Sequence, residues 1–84
     1  MPTGWTTIGG TPPDLRRLLD KPHEFEAEVK RRLGGTGAAL RGVYFEKLGG
    51  PVHVLYHGAD PELRKANSAL GTGTYKELKE PDEL

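Results

Sequence analysis

The chain contains no cysteine, which excludes a disulfide scaffold, a zinc ribbon and a thiol nucleophile. It has no excess of either charge: 12 Lys and Arg balance 12 Asp and Glu, for a formal net charge of +0. Such a chain has no field to draw it to nucleic acid or an anionic membrane. No apolar run approaches the ~20 residues of a membrane span, and the N-terminus lacks the basic and apolar regions of a signal peptide. A soluble, cytoplasmic protein with neither nucleic-acid nor membrane partner is expected. Ser68 is the only serine, so no Ser-His-Asp arrangement is signalled. The runs Gly34-Gly35-Thr36-Gly37 and Gly71-Thr72-Gly73-Thr74 lack the Lys-Ser/Thr that completes a phosphate loop, and the first follows a helix instead of opening one. Both read as helix ends.

What is present is punctuation. Twelve glycines and seven prolines in 84 residues fall mostly between periodic segments. A chain this short forms one domain and buries roughly 60–65% of its unfolded surface, which is marginal for a monomer and favours oligomerisation. Trp5-Thr6-Thr7-Ile8 reads as a strand closed by Gly9-Gly10. Thr11-Pro12-Pro13-Asp14 reads as a helix start, with Thr11 capping and Pro12 in the first position. Leu15, Leu18 and Leu19 make one apolar stripe, and Phe25, Val29 and Leu33 continue it after a break near Asp20-Lys21 imposed by Pro22. A strand follows over Leu40 to Leu48, and a two-residue turn at Gly49-Gly50 leads into a second over Pro51 to His57. Asp60-Pro61 opens a helix to about Leu70, Thr72 to Leu78 is a last strand, and Glu80 to Leu84 reads as a flexible tail. The order β-α-β-β-α-β predicts an α+β, ferredoxin-like fold, an antiparallel sheet with its helices on one face.

Thr11-Pro12, then Leu18-Leu19-Asp20-Lys21-Pro22, an amphipathic helix ending at Gly34-Gly35, Leu40-Arg41-Gly42-Val43-Tyr44-Phe45 and a Gly-Gly hairpin together resemble the GYD domain family over roughly residues 11 to 79. The resemblance implies a dimeric α+β barrel, a homodimer whose two sheets pack face to face around a cavity. The chain departs from the family at the Gly-x-Tyr-Asp signature itself, where Gly50, Pro51 and Val52 stand in place of an acidic residue, tyrosine and aspartate. No functional residue transfers from that signature. Other dimeric α+β barrels include cofactor-free monooxygenases, isomerases, polyketide cyclases and heme-handling proteins, so the fold implies a cavity and no particular reaction.

The hairpin predicts where chemistry sits. A two-residue turn sets Glu46 opposite His53, Tyr44 opposite Leu55 and Gly42 opposite His57. Alternation then puts Tyr44, Glu46, His53, Leu55 and His57 on one face, and Val43, Phe45, Val52, Val54 and Tyr56 on the other, against the helical stripe. In a face-to-face dimer the first face lines the cavity, with His53 as base, Glu46 orienting its ring and Tyr44 donating to a developing oxyanion. His57, Leu55 and the gap beside Gly42 would contact the ligand. Equally, a cross-strand Glu-His pair on a wet sheet face is a common structural contact of ~0.2–1 kcal/mol. His53 and His57 lie ~13 Å apart along a strand, too far to share one zinc. No metal or cofactor is called for. Arg16-Arg17 and Lys30-Arg31-Arg32 read as solvated helix surface, with Glu26–Lys30 and Glu28–Arg32 as pairs. Two functions fit these residues: binding of a small apolar or aromatic molecule with cofactor-free isomerase- or cyclase-type chemistry, or a non-catalytic dimerisation, ligand-sensing or protein-interaction module.

Overall fold

A computed structural model describes residues 2–8, 13–71 and 74–84. Four strands, β1 (Thr3–Ile8), β2 (Ala39–Phe45), β3 (Val52–His57) and β4 (Thr74–Leu78), form one sheet in the order β2-β3-β1-β4, every neighbouring pair antiparallel. The helices are α1 (Pro13–Arg16), α2 (Pro22–Leu33) and α3 (Asp60–Leu70). This α+β arrangement is compatible with the ferredoxin-like expectation. The first strand starts two residues earlier than the sequence suggests and β2 ends three residues sooner. Part of the tail expected to be flexible forms a 3-10 turn over Pro81–Glu83. The expected Thr11-Pro12 cap and the start of the last strand at Thr72 lie outside the described residues.

Pro22 opens α2 and separates it from α1, because its ring cannot follow a helical carbonyl four residues earlier. At α3 the cap is Ala59, not Asp60; Glu62 supplies the polar contact, accepting the Ala59 N–H at 2.8 Å. Leu15, Phe25, Val29, Leu33, Leu63 and Leu70 from the helices bury together with Ile8, Val52, Val54 and Tyr56 from the sheet. All three helices thus cover one face of the sheet. The buried Tyr56 hydroxyl bonds to the Thr6 hydroxyl, so this fully buried phenol keeps a polar partner.

The hairpin register differs from the expected one. Phe45 pairs with Val52, Tyr44 with His53, Gly42 with Leu55 and Ala39 with His57. A two-residue turn requires residue 51 to donate its N–H to the Leu48 carbonyl, and Pro51 has none. The loop therefore widens to Lys47–Gly50, closed by the Glu46 N–H donating to the Pro51 carbonyl at 3.0 Å. Gly49 and Gly50 adopt φ of 93° and 90°, and the Gly49 N–H bonds the Leu19 carbonyl, fastening the loop to the link between α1 and α2. The slip relative to expectation is two residues, an even number, so every side chain keeps its predicted face while changing its partner. A bulge between Leu40 and Gly42 shifts the far end of the ladder again, which is why His57 meets Ala39.

Candidate functional site

The uncovered face of the sheet is built from alternate residues of all four strands. Register places Trp5 beside Leu55 and Lys76, Thr7 beside His53, and Thr3 beside His57 and Leu78. At its centre the Trp5 indole N–H donates to His53 Nδ1 at 2.9 Å, and the rings lie 5.3 Å apart at 60°. Indole is a donor only, so Nδ1 presents its lone pair and the imidazole proton resides on Nε2. That proton is donated to Glu46 Oε2 at 2.6 Å. Thr7 Oγ1 stands 3.2 Å from the same Nδ1. Lys76 Nζ lies 5.5 Å from the centroid of the Trp5 ring, where the face of the π-system attracts a cation.

Glu46 and His53 thus meet, though not as a direct cross-strand pair: Tyr44 occupies the opposite position and Glu46 reaches His53 along the diagonal. The chemistry available to His53 is narrower than the sequence implies. An imidazolium carries N–H at both nitrogens, so taking a proton at Nδ1 would set a donor against the indole donor. While Trp5 holds it, the Nδ1 lone pair is engaged and His53 bridges indole and carboxylate. Tyr44 leans toward Gly42, away from Glu46; a Cβ at Gly42 would lie 2.7 Å from its hydroxyl. The gap expected beside Gly42 is therefore filled by the Tyr44 ring, and His57 faces Ala39 and Thr3 instead.

Two adjoining concavities mark this face. One of about 390 Å³ is lined by Trp5, Tyr44, His53, Leu55 and Leu78. The other, about 290 Å³, shares Tyr44, Leu55 and Leu78 and continues to Arg41, Lys79 and Glu80. Of the residues expected at the site, Tyr44, His53 and Leu55 line this trough, Glu46 borders it through His53, and Gly42 and His57 line neither part. Trp5, Leu78 and Arg41 were not anticipated. Alternation in β1 and β4 carries the signal for the first two once β1 is known to lie beside β3 and β4 beside β1. A glycine inside a strand, here Gly42, is a mark of the bulge beside Arg41.

Among the described residues no group of three His, Cys, Asp or Glu side chains could hold a metal ion, and no helix is long and apolar enough to cross a membrane. Comparison of the chain with family models, with curated proteins and with solved structures gives no match in any of the three. None of them identifies it with the GYD family that its segment order resembles.

Proposed function

We propose that the uncovered sheet face binds a small, largely apolar or aromatic molecule, and that two copies of the chain pack through this face as a GYD-like, ferredoxin-like dimeric α+β barrel that closes over it. The observation that carries the reading is the concavity of about 390 Å³ walled by Trp5, Tyr44, Leu55 and Leu78, on the face of the sheet opposite the helices α1, α2 and α3. Pockets of this kind, apolar with a few placed polar groups, are the usual form of small-molecule sites. Tyr44 is 59% exposed in a single chain, and a second sheet laid over it would remove such apolar surface from water. Light scattering at low micromolar concentration should give about twice the mass of one chain. A clean monomer would remove the enclosed site.

Binding without chemistry is the form of the function that the His53 tautomer favours. Catalysis is the second reading, and the Glu46–His53 contact of 2.6 Å supports it. Under that reading His53 gives up the Trp5 hydrogen bond when substrate enters and becomes the base, oriented by Glu46. His53→Ala would then lower turnover by ~100- to 10,000-fold, the usual worth of a positioned acid–base group, with the dimer intact. Undiminished turnover would leave the pair a structural contact and the protein a binding or sensing module.

A further inference from the structure

The trough is chemically asymmetric along its length. Toward Trp5 it is walled by aromatic and aliphatic side chains; toward the far end, beyond Tyr44, Leu55 and Leu78, it reaches Arg41 and Lys79, with Glu80 the one acidic side chain among the described residues that line it. Arg41 is there because of the bulge. Leu40 packs against the core and Gly42 belongs to the open face, so the unpaired Arg41 between them escapes strict alternation and lines the trough. Bulges near functional sites re-aim side chains in this way. Gly42, without a side chain, lets the Tyr44 ring lie along the strand and form the wall common to both halves. Arg41 and Lys79 have no ion-pair partner among the described residues, whereas Arg31 and Arg32 on α2 are engaged by Glu28.

From this charge asymmetry we infer that the ligand is a small organic acid with an apolar body. Its carboxylate lies against Arg41 and Lys79, and its body runs over Tyr44, Leu55 and Leu78 toward Trp5. Guanidinium recognises a carboxylate through two parallel N–H donors, and Lys79 adds a second positive charge. The inference rests on the ligand-face reading above and names the class of molecule that face takes.

The test uses a matched pair of probes, 4-phenylbutyrate and the neutral 4-phenylbutan-1-ol, titrated into the full chain and followed by the indole N–H resonance of Trp5, the single tryptophan. The carboxylate should bind at least about 10-fold more tightly than the alcohol, the scale of a charge-assisted hydrogen bond. Arg41→Gln combined with Lys79→Gln should erase that advantage, and Lys65→Gln on the exposed side of α3 should leave it in place. Equal binding of the two probes by the unsubstituted chain would overturn the organic-acid inference and leave the apolar site standing. A carboxylate preference that survives the double substitution would overturn the assignment to Arg41 and Lys79. Failure of both probes to move the Trp5 resonance would overturn the ligand-face reading itself.

Discussion

Gly4 and Gly42 each lie beneath a tyrosine ring, on opposite faces of one sheet. Gly4 pairs with Tyr56 across β1 and β3, and a Cβ there would come within 2.9 Å of the Tyr56 ring carbon Cζ. Gly42 lies beneath Tyr44, its neighbour two residues along β2, with ring atoms equally close. The local device is the same and the surroundings are opposite. Tyr56 is fully buried, wedged among helix side chains, with its hydroxyl on Thr6. Tyr44 stands largely in the open. A glycine that makes room for an aromatic ring is thus a packing requirement on the covered face and a shaping of the surface on the other.

The largest expected effect breaks the covered side. Gly4→Ala forces a methyl group against a ring that cannot move, and overpacking of this kind costs about 1–3 kcal/mol. In a domain of this size each kcal/mol lowers Tm by roughly 4–8 °C, so calorimetry should show a clear fall. An unchanged Tm would mean that Tyr56 is not locked. Tyr56→Phe comes next, because it leaves the buried Thr6 hydroxyl without its partner, at about 1–2 kcal/mol.

Tyr56 also gives the covered face a pH signature. Burial pushes its phenol from 10.0 up to about 12, so the folded state favours the neutral ring. That contribution is complete below pH 10 and is lost as pH rises through about 12. Urea midpoints measured across this window should fall more steeply for the native chain than for Tyr56→Phe.

A charge cluster on the helices sharpens the contrast from the acid side. Arg32 bonds Asp14 of α1, Glu28 of α2 and the Ala69 carbonyl of α3, so it ties together the three elements that roof the covered face. Hydrogen bonds from Arg31, and then from Arg32, hold the Glu28 carboxyl down at about 2 from 4.5, and Arg32 lowers Asp14 in the same sense. This stabilisation is present above pH 4.5 and fades as pH falls toward about 2. Glu28→Gln should flatten the acid limb of the urea midpoint; an acid limb identical to that of the native chain would place the acid sensitivity elsewhere.

The smallest effect on stability belongs to the open face. Within a single chain, Gly42→Ala should change the unfolding free energy by no more than the roughly ±0.5 kcal/mol typical of surface changes, because the Tyr44 ring can swing out over the open face. It should nonetheless alter the trough, since the displaced ring is the wall shared by its two halves. Loss of 4-phenylbutyrate binding with an unchanged Tm would separate the two faces cleanly. A fall in Tm equal to that of Gly4→Ala would erase the distinction between them.

Much of this was legible in the chain itself. Period-two alternation in β3 separated Val52, Val54 and Tyr56 from His53, Leu55 and His57, and their burial follows that division. The break at Pro22 and the helical stripe of Leu15, Phe25, Val29 and Leu33 were equally readable, because they depend on contacts between near neighbours. The register was legible in principle, since Pro51 has no N–H for a tight turn, but the two glycines before it give the stronger and misleading signal. The site was legible only in part: Tyr44, Glu46, His53 and Leu55 were found on one face and Glu46 with His53, whereas their partners from β1 and β4 were not.

Those partners come from far along the chain. The indole that fixes the His53 tautomer is 48 residues away in sequence, and Leu78 and Lys79 join Arg41 only because β4 lies beside β1 and β1 beside β3. The sequence by itself determined which segments become strands and helices and which side chains share a face, because these follow from periodicity, proline and glycine acting over a few residues. Only the tertiary structure decided that Trp5 occupies the His53 lone pair, that Tyr44 fills the space over Gly42 and that a bulge turns Arg41 onto the open face. Strand order and a single unpaired residue set those contacts, and neither leaves a local periodicity to read.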